Sequence, residues 1–439
     1  MRWEQPVEYA ILSDIGFRRQ NNQDCATVLM ASNEETWSER GHLFVVADGM
    51  GGHAVGELAS KIAVDTVPLT FHKLRSLPAQ DALRKSIEDA NIAIYTRGQQ
   101  NREFRNMGTT CTTLVLSPEG AFAGHVGDSR LYRIRDQRID QLTFDHSLQW
   151  ELIRQGKMKT EDILLHQPRN VITRCLGPEP RVEIDLEGPF PVISQDVYLL
   201  CSDGLTGLVT DCEIGMIAQQ LPPADACRLL VNLANLRGGT DNISVIIVRV
   251  GDVPAGLGER PPPEPVERSG LGWRWLLGFW GLAILIVFGV SLLLLGSPVE
   301  GVLTLGVGLF GAAGLCLAWW KTPAAEKTNT DLDATTLWKP HRSASAKLDR
   351  KFLGELGQLE YTLQQTAAEE SWKIDWTEHK LAYEKAKKAV DAEDYSAALR
   401  EFGKAIQTLM SGIQHQRKRM ERVAKWGLKP AAAKAKERP

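Results

Sequence analysis

The chain of 439 residues is 43% hydrophobic and 24% charged, ordinary globular proportions that exclude a disordered chain, a fibrous repeat and a single small stapled fold. Its net charge of −3 conceals an acidic body followed by a basic C-terminal quarter. Seven cysteines (Cys25, Cys111, Cys175, Cys201, Cys212, Cys227 and Cys316) lie far apart with no Cys-x-x-Cys pair, which excludes a zinc finger and a disulfide framework.

The N-terminal MRWEQPVEYAILSD mixes Glu and Asp into its apolar residues, so no secretory signal is expected and this end should stay in the cytosol. As far as residue 250, β-rich runs (HLFVVAD, TTCTTLVL, AFAGHVGD, RLYRIR, DVYLLCSD, NISVIIVRV) alternate with helical patterns predicted at 55–74, 82–96, 148–155 and 224–236. Strands in hairpin succession favour antiparallel sheets packed with helices, an α+β domain over 1–250. The charged, Pro-rich GERPPPEPVERSG makes 251–270 an extended spacer.

Two charge-free apolar stretches follow, 275–295 and 301–320, each long enough at ~20 residues to cross a bilayer as a helix. The short link GSPVE predicts a two-helix transmembrane hairpin over 271–320. Arg268, Arg274, Lys321 and Lys327 flank it while the link carries only Glu300, so the positive-inside rule puts both flanks in the cytoplasm of a two-span inner or plasma membrane protein.

Residues 321–350 are polar and read as a loose linker. Beyond them Phe352, Leu356, Leu359 and Leu363, then Tyr395, Leu399, Phe402, Ile406 and Leu409, recur at helical spacing. They predict a helical hairpin over 351–425, and AVDAEDYSAALREFGKAI looks like part of a tetratricopeptide repeat, a module that would bind a protein partner. HQRKRMERVAKWGLKPAAAKAKERP, which runs into a basic tail at 426–439, suits an anionic lipid leaflet; nucleic acid is not expected as a partner.

Four aspartates stand at strand ends or in loops beside glycine or a small polar residue: Asp24 in RRQNNQD, Asp48 in VVADGMGG, Asp203 in LLCSDGL and Asp241 in GGTDNIS. Singly each reads as a turn or cap residue; as a set they suggest one cluster held by rigid strands. Carboxylates without adjacent Cys or His select hard cations, magnesium or manganese. GMGGHAVGE could be taken for a phosphate-cradling loop, but it lacks Gly-Lys-Ser/Thr, and Asp48 before it would repel phosphate unless a metal lay between. With a metal, the glycines let the carbonyl of Gly49 approach the ion.

The ordered motifs SDIGFRRQNNQD, VVADGMGGHAVGELAS, MGTTCTTLVL, AGHVGDSRLYRIR, LTFDHSLQWELIRQG, NVITRCLG, YLLCSDGLTGLV and GGTDNISVIIV resemble the bacterial branch of the metal-dependent protein phosphatases, the type 2C serine/threonine phosphatases, across nearly all of 7–250. The resemblance implies a four-layer α-β-β-α sandwich, two antiparallel sheets flanked by helices, with a binuclear manganese or magnesium centre at one end. It implies that Asp48 bridges two metals, that Gly49 ligates one through its carbonyl, that Asp203 and Asp241 ligate one and Asp24 the other, directly or through water, and that Asp128 in GDSR binds a third, weaker ion. Arg19, rather than the adjacent Arg18, matches the phosphate-clamping arginine. Ser202 and Asn242 would support the ligands. Met50 replaces the histidine that many eukaryotic relatives carry after the Asp-Gly pair, which leaves His53 as the candidate general acid. His146 would order a loop, and 152–170 would form a flap that selects substrate.

The expected function is a membrane-tethered, cytoplasm-facing phosphatase for phosphoserine and phosphothreonine proteins, opposing a serine/threonine kinase and using metal-activated water without a phosphoenzyme. The alternative is a catalytically silent membrane scaffold that binds phosphoproteins or partners through the domain and its helical tail.

Overall fold

The computed structural model describes residues 1–51, 54–157, 171–252, 273–321, 340–370 and 372–426. The strands are β1 (Val7–Asp14), β2 (Asp24–Leu29), β3 (His42–Met50), β4 (Gly108–Thr109), β5 (Cys111–Ser117), β6 (Gly120–Val126), β7 (Arg130–Arg135), β8 (Arg138–Gln141), β9 (Asp185–Phe190), β10 (Val197–Cys201), β11 (Ile243–Val250) and β12 (Arg342–Ser345). The helices are α1 (Glu34–Arg40), α2 (Ala54–Lys73), α3 (Ala79–Gln99), α4 (Leu148–Arg154), α5 (Asp203–Thr206), α6 (Asp211–Gln220), α7 (Pro223–Leu236), α8 (Trp273–Leu294), α9 (Pro298–Lys321), α10 (Arg350–Glu369), α11 (Trp376–Asp391) and α12 (Tyr395–Trp426). The four helices predicted in the first 250 residues fall on α2, α3, α4 and α7.

All pairings are antiparallel. One sheet runs β1-β11-β10-β7-β8-β12, the other β2-β3-β5-β6-β9 with β4 on β3. Strand alternation builds the layers, because successive side chains point to opposite faces. On β3, Phe44 and Val46 enter the core between the sheets, where they meet Leu114, Tyr198, Leu200 and Ile246. Leu43, Val45 and Ala47 turn the other way, onto Ala59 and Ala63 of α2 and Leu83 and Ile87 of α3. The second sheet does the same: Leu199, Val245 and Ile247 pack outward on Ile217 of α6 and Leu230 of α7. Central strands buried on both faces therefore read as near-continuous apolar runs. These two antiparallel sheets with flanking helices are the α-β-β-α sandwich expected from the sequence.

Two compact units make up the chain. The first joins Met1–Ala255 to Trp338–Pro439. In it α10 and α12 add Phe352, Leu356, Leu399, Phe402 and Ile406 to the outer core of α6 and α7. Within the polar stretch 321–350, β12 pairs with the edge strand β8, Ala344 opposite Ile139, and Ser343 Oγ donates to Asp140 at 2.6 Å. Helix α6 begins with a reciprocal cap between Thr210 and Glu213, and α7 with Pro223 in its first turn, where a missing N–H costs nothing.

The second unit, Gly256–Leu337, contains α8 and α9. Gly289 and Gly308 let the two helices approach closely: a Cβ at Gly289 would lie 2.8 Å from the Leu305 nitrogen, and one at Gly308 would lie 2.8 Å from Ile286. Ile284, Val287, Phe288, Val302 and Phe310 are exposed on them. The two-span hairpin expected over 271–320 is not borne out here: among the described residues no helix is long and apolar enough to cross a membrane. The spacer at 251–270 and the tail beyond 426 lie almost entirely outside the described residues.

Candidate active site

The antiparallel order brings five sequence-distant aspartates to one end of the sandwich. Asp24 opens β2 directly opposite Asp48 near the end of β3. Asp128 lies between β6 and β7, Asp203 opens α5 just after β10, and Asp241 stands two residues before β11. Each side chain therefore leaves a paired strand or the turn next to one.

Backbone contacts fix these positions. The Asp48 carbonyl accepts from the Thr110 N–H and the Thr109 hydroxyl, both at 2.9 Å, while its own N–H donates to Thr110 Oγ1 at 2.8 Å. Gly49 N–H donates to the Gln23 carbonyl, and a Cβ on Gly49 would lie 2.0 Å from the Gly56 carbonyl oxygen, so only glycine fits. Ser202 Oγ donates to Asp24 Oδ2 at 2.7 Å. Asn242 Nδ2 donates to the carbonyls of Ile15 and Asn21, and its Oδ1 accepts from Gln23 N–H, which ties together the loops that carry Arg19, Asp24 and Asp241. Arg19 Nη2 donates to Asp241 Oδ2 at 2.7 Å.

The electrostatics of this end are unfavourable without a cation. Burial, followed by the charges of Asp203 and Asp241, raises the Asp24 carboxyl to about 7 despite the Ser202 and Ser244 hydroxyls. Burial and Asp241 raise Asp203 to about 6. Asp48 is driven well above the usual carboxylate range by burial and then by Asp24, Asp203, Asp128 and Asp241. Burial and the Asp203 charge do the same to Asp128. Mutual repulsion identifies the five as one electrostatic cluster.

Asp24 Oδ1, Asp128 Oδ1 and Asp203 Oδ1 are buried with no hydrogen-bond partner. A buried carboxylate oxygen left without a donor is costly, and a hard divalent cation removes that cost. No three acidic, histidine or cysteine side chains among the described residues close into a ready-made cage for an ion; the charge and the unpartnered oxygens are what call for one. The donors fit magnesium or manganese, since they are carboxylates and a carbonyl with no thiolate or imidazole. They border a cavity of about 330 Å³ whose wall includes Arg19, Asp48, Gly49, Asp203, Asp241 and Asn242. Neither Asp24 nor Asp128 is on that wall.

Of the residues singled out in the sequence, Arg19, Asp48, Gly49, Asp203 and Asp241 meet at this cavity, with Asp24 and Asp128 coupled to them through charge. His53 lies outside the described residues, as does most of the flap at 152–170. His146 is buried away from the cavity; its Nδ1 accepts from Gly127 N–H at 3.0 Å and its Nε2 lies 3.0 Å from Asp185 Oδ2, which orders the turn before Asp128. Sequence reading missed Thr109 and Thr110, although the Thr pair in MGTTCTT was a visible signal. It also missed Arg417 of α12, whose Nη1 donates to the Gly16 carbonyl at 2.6 Å, and nothing local in the sequence points to that contact.

Residues 18–161 match the family model described as protein phosphatase 2C. The chain is 35% identical over 255 residues to "Protein phosphatase PhpP" of Streptococcus pneumoniae, a match spanning 56% of this chain and 98% of that protein. It is 34% identical over 241 residues to "Serine/threonine phosphatase stp" of Listeria welshimeri, spanning 54% of this chain and 93% of that one. Among solved structures it resembles the serine/threonine phosphatase Stp1 from Staphylococcus aureus, with a TM-score of 0.52, 32% identity, and coverage of 57% of this chain and 97% of that chain. The serine/threonine phosphatase PstP/Ppp of Mycobacterium tuberculosis is similar at a TM-score of 0.50 and 31% identity, covering 56% of this chain and 99% of that one.

Proposed function

The chain belongs to the protein phosphatase 2C family of serine/threonine protein phosphatases, and we propose that it is a membrane-tethered member that removes phosphate from phosphoserine and phosphothreonine proteins with manganese or magnesium. The observation that carries the reading is the set of unpartnered buried oxygens on Asp24, Asp128 and Asp203 at one sandwich end, where Asp203 shares a cavity wall with Arg19.

Asp48, with its backbone pinned on both sides by Thr109 and Thr110, is the rigid centre of the cradle and would be shared by two divalent ions; Gly49, Asp203 and Asp241 would hold one of them, Asp24 the other, and Asp128 a weaker third. Divalent ions held there would supply charge to neutralise the phosphoryl oxygens and to activate the attacking water, so no phosphoenzyme would be required. Arg19 binds the substrate phosphate, its planar fork suited to two oxygens at once. Its contact with Asp241 keeps the guanidinium at the cavity wall, and Asn242 holds the neighbouring loops in register. His53, which precedes Ala54 in the sequence, is the candidate donor of a proton to the departing alkoxide.

Membrane attachment is supported by the charge-free stretches 275–295 and 301–320, their basic flanks, and the exposed apolar side chains of α8 and α9. In this reading the catalytic end and the C-terminal helices both face the cytoplasm, where the enzyme opposes a serine/threonine kinase. Against a silent scaffold stands the retention of every cradle carboxylate together with Arg19.

The test is phosphate release from a phosphothreonine peptide by the detergent-solubilised full chain with manganese, with chelator, and with Asp48→Ala. Calorimetric titration with manganese gives a second readout. Turnover that persists in chelator or in the variant overturns the metal-dependent reading. Release of the chain from membranes by alkaline carbonate would overturn the tether.

A further inference from the structure

We propose that α12 forms one wall of a substrate groove, in which Arg417 and Gln414 read an acidic side chain beside the phosphorylated residue. The inference rests on the phosphatase reading of the metal end and adds a specificity element from outside the region shared with relatives.

Helix α12 is fixed on the catalytic domain along its length. Ser396 Oγ donates to Gln220 Oε1 at 2.6 Å, and Asn232 Nδ2 of α7 donates to Gln407 Oε1 at 2.7 Å. Leu399, Phe402 and Ile406 are buried between these points, and Met410 just beyond them. Two turns beyond Met410 the helix meets the loop after β1: Arg417 Nη1 donates to the Gly16 carbonyl, and its guanidinium lies 5.6 Å from the centre of the Phe17 ring. Gly16 and Phe17 stand three and two positions before Arg19.

Between loop and helix lies a cavity of about 560 Å³, with Phe17, Arg19 and Gln20 on one side and Gln414 and Arg417 on the other. Arg19 also lines the metal-end cavity. The two spaces therefore adjoin at the phosphate-clamping residue, and a peptide whose phosphate sits on Arg19 has its flanking residue directed along the groove. Gln414 and Arg417 are three apart, so they share one helix face.

The charge of the groove selects its occupant. Arg417 faces it from the helix, while Asp14, the acidic residue among the described lining, already accepts from Gly16 N–H at 2.8 Å and Asn235 Nδ2 at 3.0 Å, and Arg19 is taken up by the phosphate and by Asp241. A carboxylate on the peptide meets the Arg417 guanidinium there, and a lysine meets the same charge as repulsion.

The experiment compares kcat/KM of the full-length chain, in detergent with manganese, on two phosphothreonine peptides that differ in carrying Glu or Lys next to the phosphorylated residue. The parent should prefer the acidic peptide, Arg417→Glu should cut that preference about tenfold or more, and Gln414→Lys, at an exposed position, should raise it. The ratio cancels any loss common to both peptides from loosening the Gly16 loop. An indifferent parent, or a ratio unchanged in both variants, overturns the groove. An equal fall on both peptides in Arg417→Glu also overturns it, reducing Arg417 to a buttress of the loop. Metal-dependent hydrolysis of neither peptide by the parent overturns the phosphatase reading, and this inference with it.

Discussion

Asp24 and Asp48 face each other as direct cross-strand partners on antiparallel β2 and β3. Like charges placed directly opposite destabilise a sheet even when solvated, and these two are buried. Fold stability is yielded here to hold two carboxylates face to face at one end of the sandwich.

Removing one charge should therefore stabilise the metal-free chain. The folded-state pKa of Asp24, about 7, lies above its unfolded value, so the native state holds more protons and stability falls as pH rises from about 4 through 7. In chelator at pH 8, Asp24→Asn should gain about 2–4 kcal/mol, less whatever the rest of the cluster relaxes. Excess manganese should reverse the order, because the parent gains more from binding. Urea denaturation of both chains under both conditions checks this; a variant no more stable in chelator would contradict it.

Arg19 separates catalysis from stability. Its pair with Asp241 is partly solvated, with side-chain exposures of 46% and 28%, so its loss should cost under about 1 kcal/mol. Arg19→Ala should nevertheless lower kcat/KM by about 100-fold, and Arg19→Lys should recover only part, since an ammonium cannot grip two oxygens in one plane. Steady-state kinetics beside thermal melts test the split.

Gly16 has φ +76°, and a Cβ there would lie 2.1 Å from the Asp241 carbonyl oxygen. Gly16→Ala should push the loop off Asp241, costing about 2–4 kcal/mol and most of the activity together. The contrast with Arg19→Ala is the informative result, since loss of activity at parental stability in Gly16→Ala would mean that the loop absorbs the side chain.

His42 predicts acid lability with the opposite sign to Asp24. Its Nδ1 accepts from Ala31 N–H at 2.9 Å, its ring packs 4.7 Å from that of Trp37, and burial lowers its pKa to about 4. The native state then holds fewer protons than the unfolded chain, so its contribution is complete above about 6.5 and is lost as pH falls toward 4. His42→Asn keeps an acceptor near the Nδ1 position and should remove about 2–3 kcal/mol of pH dependence over that range. Denaturation midpoints at pH 4, 5 and 7 would show it.

The C-terminal helices should stay with the catalytic domain after the chain between them is cut. With a protease site introduced between 322 and 337, the C-terminal fragment should co-elute with the N-terminal one, held by β12 on β8 and by α12 on α7. Gly215→Leu should release it, because a Cβ at Gly215 already comes within 2.7 Å of the Ala346 Cβ. Separation of the fragments in the parent would contradict the shared core.

The sequence by itself determined the layers and which carboxylates stand at strand ends. Central strands such as β3 and β10 are buried on both faces and so had to be apolar for most of their length, and each leads to a carboxylate followed by glycine, which marks Asp48 and Asp203 without reference to any partner. Periodicity likewise placed α2, α3, α4 and α7 to within a few residues. Only the tertiary structure decided who meets whom. RSAS at β12 carries no alternation and becomes a strand because the open edge of β8 supplies its hydrogen bonds. Asn242 looked like a ligand's neighbour and proves to tie the β1–β2 loop to the turn before β11. Arg417, read within a basic run suited to lipid, lies on the Gly16 carbonyl, a contact across 401 positions of chain. Apolar patterning records whether a side chain leaves water, a local property written residue by residue, whereas the surface that receives it is set by chain closure over hundreds of residues, which no local pattern encodes.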